Sequence, residues 1–252
     1  MSFDLDLGWL EAVLLTSMRM IAFLVVAPPF SHNAFPLRVK AMLAVGLGLA
    51  VSTRTSAGYV PPTTGVFLLQ LVMELLVGFL LGFLVFVVFS AIQSAGNLID
   101  LFGGFQLAQA FDPQMMVNGA QFTRLFQITA IALLFASGGY QLIIGGLARS
   151  FEALPLGGGI DLSGPMELLT GVVGQMMLAA VQIAGPLIVV LFIADVGLGL
   201  LTRVAPALNA FAMGFPIKIL VTLVLGSSLF IMLPRIVESI TGDSLTALTG
   251  VK

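Results

Sequence analysis

The longest apolar run of the 252-residue chain spans Val66–Ile92 and reads VFLLQLVMELLVGFLLGFLVFVVFSAI. Glu74 is its only charged residue. A run of this length exceeds the ~20 residues that a helix needs to cross the hydrocarbon core of a bilayer. It therefore predicts a membrane-type helix and favours an all-α protein.

Further apolar segments lie on both sides of this run, and together they predict six or seven helices arranged as hairpins and broken helices. They span Trp9–Ala27, Leu37–Val51, a stretch between Arg124 and Arg149, Met166–Thr202 and Ile217–Leu233. Gly185-Pro186 is expected to divide one long run into a hairpin or a kinked pair of helices, and Pro234 to end the last helix before a polar tail. Two segments are too short for a straight span. They are either short helices tilted in a thin membrane or, as we favour, part of an apolar surface that faces protein partners. No repeat or long linker interrupts the chain, which predicts a single domain over 1–252.

The amino-acid composition of the chain argues against several classes of protein. Hydrophobic residues make up 59% of the chain and charged residues 9%, against ~45–50% and ~25% in soluble domains. The net charge of −2 provides no basic field for nucleic acid. The absence of cysteine and the single histidine argue against disulfides and metal clusters. No nucleophile–base pair or phosphate-binding loop is evident, so the sequence predicts no catalytic residue, cofactor or metal.

Three ionisable residues lie inside the apolar runs: Arg19, Glu74 and Asp195. A charge at bilayer depth costs at least ~2.5–3.5 kcal/mol, so each is expected to find a partner or water. An ion pair between helices or subunits is the favoured interpretation, and an aqueous or peptide pathway is the alternative. Arg203 precedes Ala205-Pro206, where a helix should stop, and is predicted at a helix end or subunit contact that serves assembly.

The stretch from Gln93 to Gln127 reads QSAGNLIDLFGGFQLAQAFDPQMMVNGAQFTRLFQ and mixes bulky apolar residues with Gln, Asn, Asp and Gly. An ordinary loop would carry more charge and fewer Phe and Met residues. Flexible methionine conforms to irregular surfaces, which suits a segment that packs inside an assembly or obstructs a pore. A helix lying on the membrane surface is the alternative. The composition of this stretch is compatible with both a segment inside an assembly and a helix on the membrane surface.

Several motifs together point to a known family. They are Arg19 with Pro28-Pro29-Phe30, Ala95-Gly96, Gly104-Phe105, Phe111-Asp112-Pro113, Gly138-Gly139-Tyr140, Leu154-Pro155, the run from Gly197 to Pro206, and Gly214-Phe215-Pro216. With these residues the chain resembles, over nearly its whole length, the FliR family of the flagellar type III export gate and its SctT-type injectisome relatives. Asp195 and Thr202 depart from the family pattern, in which Asn is usual, so the resemblance assigns Asp195 no role that depends on charge.

The resemblance implies a non-enzymatic structural and gating subunit, packed in a helical export-gate assembly of the bacterial inner membrane. It implies a pore through which unfolded flagellar axial proteins enter the export channel. The implied partners are FliP-like, FliQ-like, FlhB-like and FlhA-like subunits and membrane lipid, without nucleic acid or cofactor. It also implies a plug within an internal loop at 97–123. The implied gate residues are Gly103, Gly104, Phe105, Phe111, Asp112, Pro113, Met115 and Met116.

Two other functions stay open. A secondary transporter or channel for a small solute would also place charges and broken helices at depth, although the inverted repeats that would favour it are not seen. The equivalent subunit of a virulence injectisome would share the mechanism and differ in its cargo. The sequence pattern favours the flagellar system.

Overall fold

The computed structural model describes residues 7–32, 35–56, 59–105, 121–157, 163–205 and 210–249. Within these ranges the secondary structure consists of seven helices and contains no strand, which confirms the all-α prediction. The helices are α1 (Leu7–Val26), α2 (Leu37–Thr55), α3 (Thr64–Phe102), α4 (Gln121–Ala136), α5 (Gly139–Ala153), α6 (Ser163–Val204) and α7 (Ala210–Thr249).

The predicted hairpin at Pro186 and the predicted helix end at Pro234 are wrong. Helix α6 continues through Pro186, and α7 continues through Pro216 and Pro234 into the predicted polar tail. Proline removes one helical hydrogen bond, but apolar helices tolerate this loss where neighbouring groups compensate. Ala184 and Leu187 are buried on the two sides of Pro186, and Leu233 and Val237 on the two sides of Pro234, so packing supports each helix before and after its proline.

Two other predicted boundaries also shift. Helix α2 runs four residues beyond Val51 because its polar end is compatible with a helix: the Ser52 hydroxyl donates to the Leu49 carbonyl at 2.8 Å. The predicted segment between Arg124 and Arg149 is instead two helices, α4 and α5, separated by Ser137 and Gly138. Gly138 has a φ of +74°, a backbone conformation that glycine adopts without steric cost.

Among the described helices, four are long and apolar enough to cross a membrane: α1, α3, α6 and α7. The α4–α5 pair would raise the number to five if it counts as one span. Helices α3, α6 and α7 have 39, 42 and 40 residues and are each about 60 Å long. This is about twice the thickness of the hydrocarbon core, so these helices exceed the length of a simple crossing.

The chain divides into two compact units. The first contains 1–88, 138–173 and 240–252, and the second contains 89–137 and 174–239. In the first unit, α2 packs on α1. The glycines of the sequence Gly78-x-x-x-Gly82 face α1, where a β-carbon on Gly82 would lie 3.0 Å from the Phe23 carbonyl oxygen. Small residues at this spacing allow the backbones of the two helices to approach closely.

The second unit contains the predicted gate region and has a core of aromatic and aliphatic side chains. The rings of Phe122 and Phe126 meet edge to face, and Phe126 meets Phe230 of α7 in the same way. Their centroids lie 6.0 and 5.3 Å apart, within the range at which such pairs are favourable. This ring series ties α4 to α7.

Candidate functional site

The first three gate residues follow the end of α3, and the first two, Gly103 and Gly104, rest against α7. The Gly103 amide donates to the Ile99 carbonyl at 2.8 Å. A β-carbon on Gly103 would lie 2.8 Å from Thr222 Oγ1, so only glycine allows this approach. Gly104 has a φ of +80° and lies beside the Phe215 ring. The chain is thus held against α7 where it leaves α3.

The other end of the gate region is held by Asp100, a residue that the sequence analysis did not single out. Asp100 is fully buried in the last turn of α3. Its Oδ1 accepts the Phe122 amide at 3.0 Å, and its Oδ2 accepts the Thr123 amide and hydroxyl, each at 2.9 Å. The two amides belong to the first turn of α4, where backbone donors lack partners within the helix. Asp100 thus caps α4 from another helix.

A ring contact joins the two ends of the gate region directly. Phe105 meets Phe122 edge to face, with centroids 5.5 Å apart. Gly96 of α3 also lies against the start of α4: a β-carbon on Gly96 would come within 2.7 Å of the Thr123 α-carbon. Phe105 and the start of α4 therefore lie side by side, although fifteen residues separate them in sequence.

The remaining predicted gate residues are Phe111, Asp112, Pro113, Met115 and Met116. They lie outside the described residues. The structure therefore defines the base of the gate region and its attachment to α3, α4 and α7.

Arg19 and Glu74, the first two charges predicted to need partners, are paired with each other. Arg19 Nε donates to Glu74 Oε2 at 2.6 Å, and Nη2 donates to Oε1 at 3.0 Å. The two side chains are 1% and 5% exposed. This two-point contact joins α1 to α3 in the geometry that suits a guanidinium and a carboxylate best.

The region around α5 completes the surroundings of Arg19. Nη1 donates to Ser150 Oγ at 3.3 Å, and Nη2 donates to the Leu154 carbonyl at 2.9 Å. The Phe151 ring lies over the guanidinium, 4.0 Å from Cζ to the centroid. We call Arg19, Glu74, Ser150, Phe151 and Leu154 the arginine cage. It ties α1, α3 and α5 together through a single side chain.

A cavity of about 170 Å³ adjoins the arginine cage and is lined mainly by apolar residues, with Gln70 as a further polar group. Tyr59, in the connection between α2 and α3, places its hydroxyl 3.1 Å from Gln70 Oε1 and 3.3 Å from Glu11 Oε2. Burial, and then the charge of Glu11, raise the pKa of Tyr59 to about 12. The phenol therefore stays protonated at neutral pH and can donate to one of these oxygens.

Asp195, the third charged residue predicted to need a partner, is more exposed than Arg19 and Glu74. Asp195 of α6 pairs with Lys218 of α7 at 2.5 Å, and its side chain is 44% exposed. Arg203 lies in the last turn of α6 and is exposed. The three carboxylates of Glu74, Asp100 and Asp195 thus each bind donors from a neighbouring helix, and this arrangement joins helices.

Comparison with known proteins assigns the family. Residues 10–244 match the family model described as bacterial export proteins, family 1. The chain belongs to this family. It is 30% identical to the flagellar biosynthetic protein FliR of Escherichia coli strain K12 over 245 residues, covering 97% of this chain and 94% of that protein. It is 32% identical to the FliR of Pectobacterium carotovorum subsp. carotovorum, over 94% of this chain and 90% of that protein.

Family similarity extends to a protein named for translocation. The Yop proteins translocation protein T of Yersinia pestis is 29% identical over 147 residues, covering 58% of this chain and 56% of that protein. The flagellar relatives therefore match a larger share of the chain than this one does.

Proposed function

We propose that the chain is a structural, non-enzymatic subunit of a flagellar type III protein-export gate in the bacterial inner membrane. Its partners would be FliP-like, FliQ-like, FlhB-like and FlhA-like subunits, and its cargo unfolded flagellar axial proteins. Family membership and the near full-length similarity to proteins named FliR support this function. Its membrane-type helices agree with a place in the membrane.

Within this gate, the segment from Gly103 to Met116 acts as a plug that closes the pore through which cargo enters. The observation that carries this proposal is the set of contacts that hold the base of the plug in place. Gly103, Gly104 and Phe105 rest against α4 and α7, and Asp100 holds the start of α4 beside them. A loop with two fixed ends can close a narrow opening and still return to its place after cargo has passed.

The exposed surface of α6 and α7 supports a subunit role. Only 22% of the most apolar window in each helix is buried within the chain, against 61% for α3. Asp195 lies on this surface among exposed Phe192, Ile193 and Val196. A half-exposed carboxylate is costly in hydrocarbon, and large apolar side chains are unfavourable in water. Neighbouring gate subunits would supply hydrogen-bond donors to the carboxylate and cover the apolar side chains.

The plug is tested by deleting Phe105–Phe111 in cells that carry the complete gate. The expected result is an assembled complex that leaks small ions, because the bulky Phe side chains that exclude water are gone. Growth under high salt and the rate of ion uptake measure the leak, and co-purification of the partner subunits confirms assembly. An assembled complex with unchanged permeability, in cells whose export channel is otherwise open, would contradict the plug.

An injectisome subunit is the second candidate, supported by the similarity to the Yersinia protein. The flagellar function is favoured because the FliR proteins match 97% and 94% of the chain, against 58% for that relative. Restoration of swimming to a strain that lacks its own FliR distinguishes the two.

A further inference from the structure

We infer that the outer face of α2 binds anionic phospholipid: headgroups pair with Arg38 and Arg54 at the two ends of the helix, and acyl chains cover the apolar side chains between them. This contact needs only a chain embedded in a membrane, so it does not depend on the proposed export function. For this short apolar segment the inference selects lipid, one of the two alternatives that the sequence left open.

The charges around α2 leave two cations available to a ligand. Residues 12–73 contain no Asp or Glu, although the whole chain has a net charge of −2. The basic residues of this stretch are Arg19, Arg38, Lys40 and Arg54. Arg19 is paired in the arginine cage, and Lys40 lies on the buried face of α2 and is 8% exposed. Arg38 and Arg54 are exposed, and neither forms an ion pair with any residue that the structure describes.

The outer face of α2 between its two arginines is apolar. Its exposed residues from 39 to 52 are apolar or glycine: Val39, Met42, Leu43, Val45, Gly46, Leu49 and Ala50. Gly48, on the opposite face, lies against Ser17 of α1, so the outer face points away from the packed side of the helix. A large apolar surface is unfavourable in water, and side chains without hydrogen-bonding groups are compatible with hydrocarbon. This face differs from that of α6, where Asp195 exposes a carboxylate that hydrocarbon cannot satisfy.

The spacing of the two arginines fits a bilayer. Arg38 and Arg54 are sixteen residues apart, which is about 24 Å along a helix. A long arginine side chain can keep its stem among acyl chains while its charged end reaches the headgroups. With this reach at both ends, the two guanidiniums can span a hydrocarbon core of ~30 Å. The lipid phosphates lie at the edges of this core, and a guanidinium binds a phosphate through two parallel hydrogen bonds.

The lack of carboxylates favours anionic lipid over zwitterionic lipid. Phosphatidylcholine brings a cation together with its phosphate, whereas phosphatidylglycerol brings a net negative charge. Each basic residue near an anionic membrane surface strengthens the association about fivefold. The two exposed arginines therefore give α2 a preference for phosphatidylglycerol.

The test places a fluorophore on the outer face of α2. Because the chain contains no cysteine, Met42→Cys provides a single labelling site in this subunit, one turn from Arg38 and at a side chain that is 74% exposed. The labelled protein is purified with its accompanying subunits, made free of cysteine, and reconstituted in phosphatidylcholine vesicles. These vesicles contain increasing fractions of phosphatidylglycerol or phosphatidylcholine with brominated acyl chains, which quench the fluorophores that they contact. We expect both lipids to quench, with half-maximal quenching at an about fivefold lower fraction of phosphatidylglycerol.

Charge variants in the labelled protein assign this preference to the arginine. Arg38→Gln should bring the two quenching curves together, and Arg38→Lys should keep most of the separation because it keeps the charge. Arg235→Gln removes an exposed arginine of α7 and should leave both curves unchanged. Leu49→Cys with Arg54→Gln repeats the comparison at the other end of α2.

Each outcome supports or overturns the inference. Absence of quenching by either lipid in the assembled complex would show that protein covers α2, and equal quenching by the two lipids would show contact without recognition of the anion; both overturn it. If Arg38→Gln loses its accompanying subunits while the lipid preference persists, Arg38 binds an acidic protein surface and the inference is overturned. If Arg38→Gln cannot be purified, the comparison of the two lipids with Arg38 in place, together with Arg54→Gln, still decides. The quenching curves do not depend on protein export, so failure of the export function would leave this result intact.

Discussion

Two ion pairs among the described residues have the same chemistry but opposite surroundings. The side chains of Arg19 and Glu74 are 1% and 5% exposed, whereas those of Lys218 and Asp195 are 18% and 44% exposed. Arg19 also binds Ser150, Leu154 and the Phe151 ring, so its charge is surrounded by groups of its own chain. Asp195 presents part of its carboxylate outward.

The difference shows what each pair contributes. A buried pair costs much desolvation energy, and removing one partner leaves an uncompensated charge. A pair that its own chain encloses only in part leaves less uncompensated charge within the fold when one partner is removed. The arginine cage is therefore expected to maintain the fold of the first unit. Asp195 and Lys218 are expected to contribute less to the stability of the chain, which agrees with the proposed contact between this surface and a partner subunit.

Breaking the buried pair should have the largest effect on stability. Glu74→Gln keeps the side-chain size but leaves the Arg19 charge unpaired and directs an NH₂ group towards its donors. We expect a loss of about 3–5 kcal/mol in the free energy of unfolding. Denaturant unfolding of the purified gate in mild detergent, followed by pulse proteolysis of this subunit, measures it.

The control for Glu74→Gln replaces both charges at once. Arg19→Met with Glu74→Leu removes the unpaired charge and should recover much of the lost stability, because apolar residues of similar size replace buried pairs at little cost. A double variant as unstable as Glu74→Gln, or a single variant as stable as wild type, would contradict the cage as a charge-balanced contact.

Removing the ring over Arg19 should have an intermediate effect. Phe151→Leu keeps an apolar side chain but loses the ring face that lies 4.0 Å from the guanidinium. Cation–π contacts contribute about 0.5–2 kcal/mol, with desolvated ones near the upper value. The same unfolding measurement should show a loss of about 2 kcal/mol, including some packing. Phe79→Leu, at an exposed position of α3, is the matched control and should change stability less; equal losses would argue against a specific ring contact.

The comparison also shows what sequence alone can predict. The length of the Val66–Ile92 run is a local pattern, and the structure confirms the helix that it predicts. The prediction that Arg19 and Glu74 need partners also rests on a local pattern, because it follows from the cost of a charge in an apolar run.

The features that sequence reasoning missed depend on contacts between distant residues. Ser150 and Leu154 reach Arg19 from 131 and 135 positions away, and no local pattern predicts either contact. The rule that proline ends a helix failed at Pro186 and Pro234 because packing on both sides outweighs one lost hydrogen bond. Asp100 has a weak local signal, an acid one turn before Gly103-Gly104, but its partners depend on how the chain returns at α4.

Breaking the exposed pair should have the smallest effect on the chain itself. Asp195→Asn keeps the side-chain shape and can still accept a hydrogen bond from Lys218, so the free energy of unfolding should change by less than about 1 kcal/mol. The effect should appear instead in assembly, as a lower yield of partner subunits recovered with the tagged chain, because the outward part of the carboxylate would lose its charge-assisted contact. Asp243→Asn, at an exposed aspartate of the same type, controls for the loss of one negative charge. A large loss of chain stability with unchanged assembly would reverse the contrast between the two pairs, since Asp195 would then act within the fold as Glu74 does.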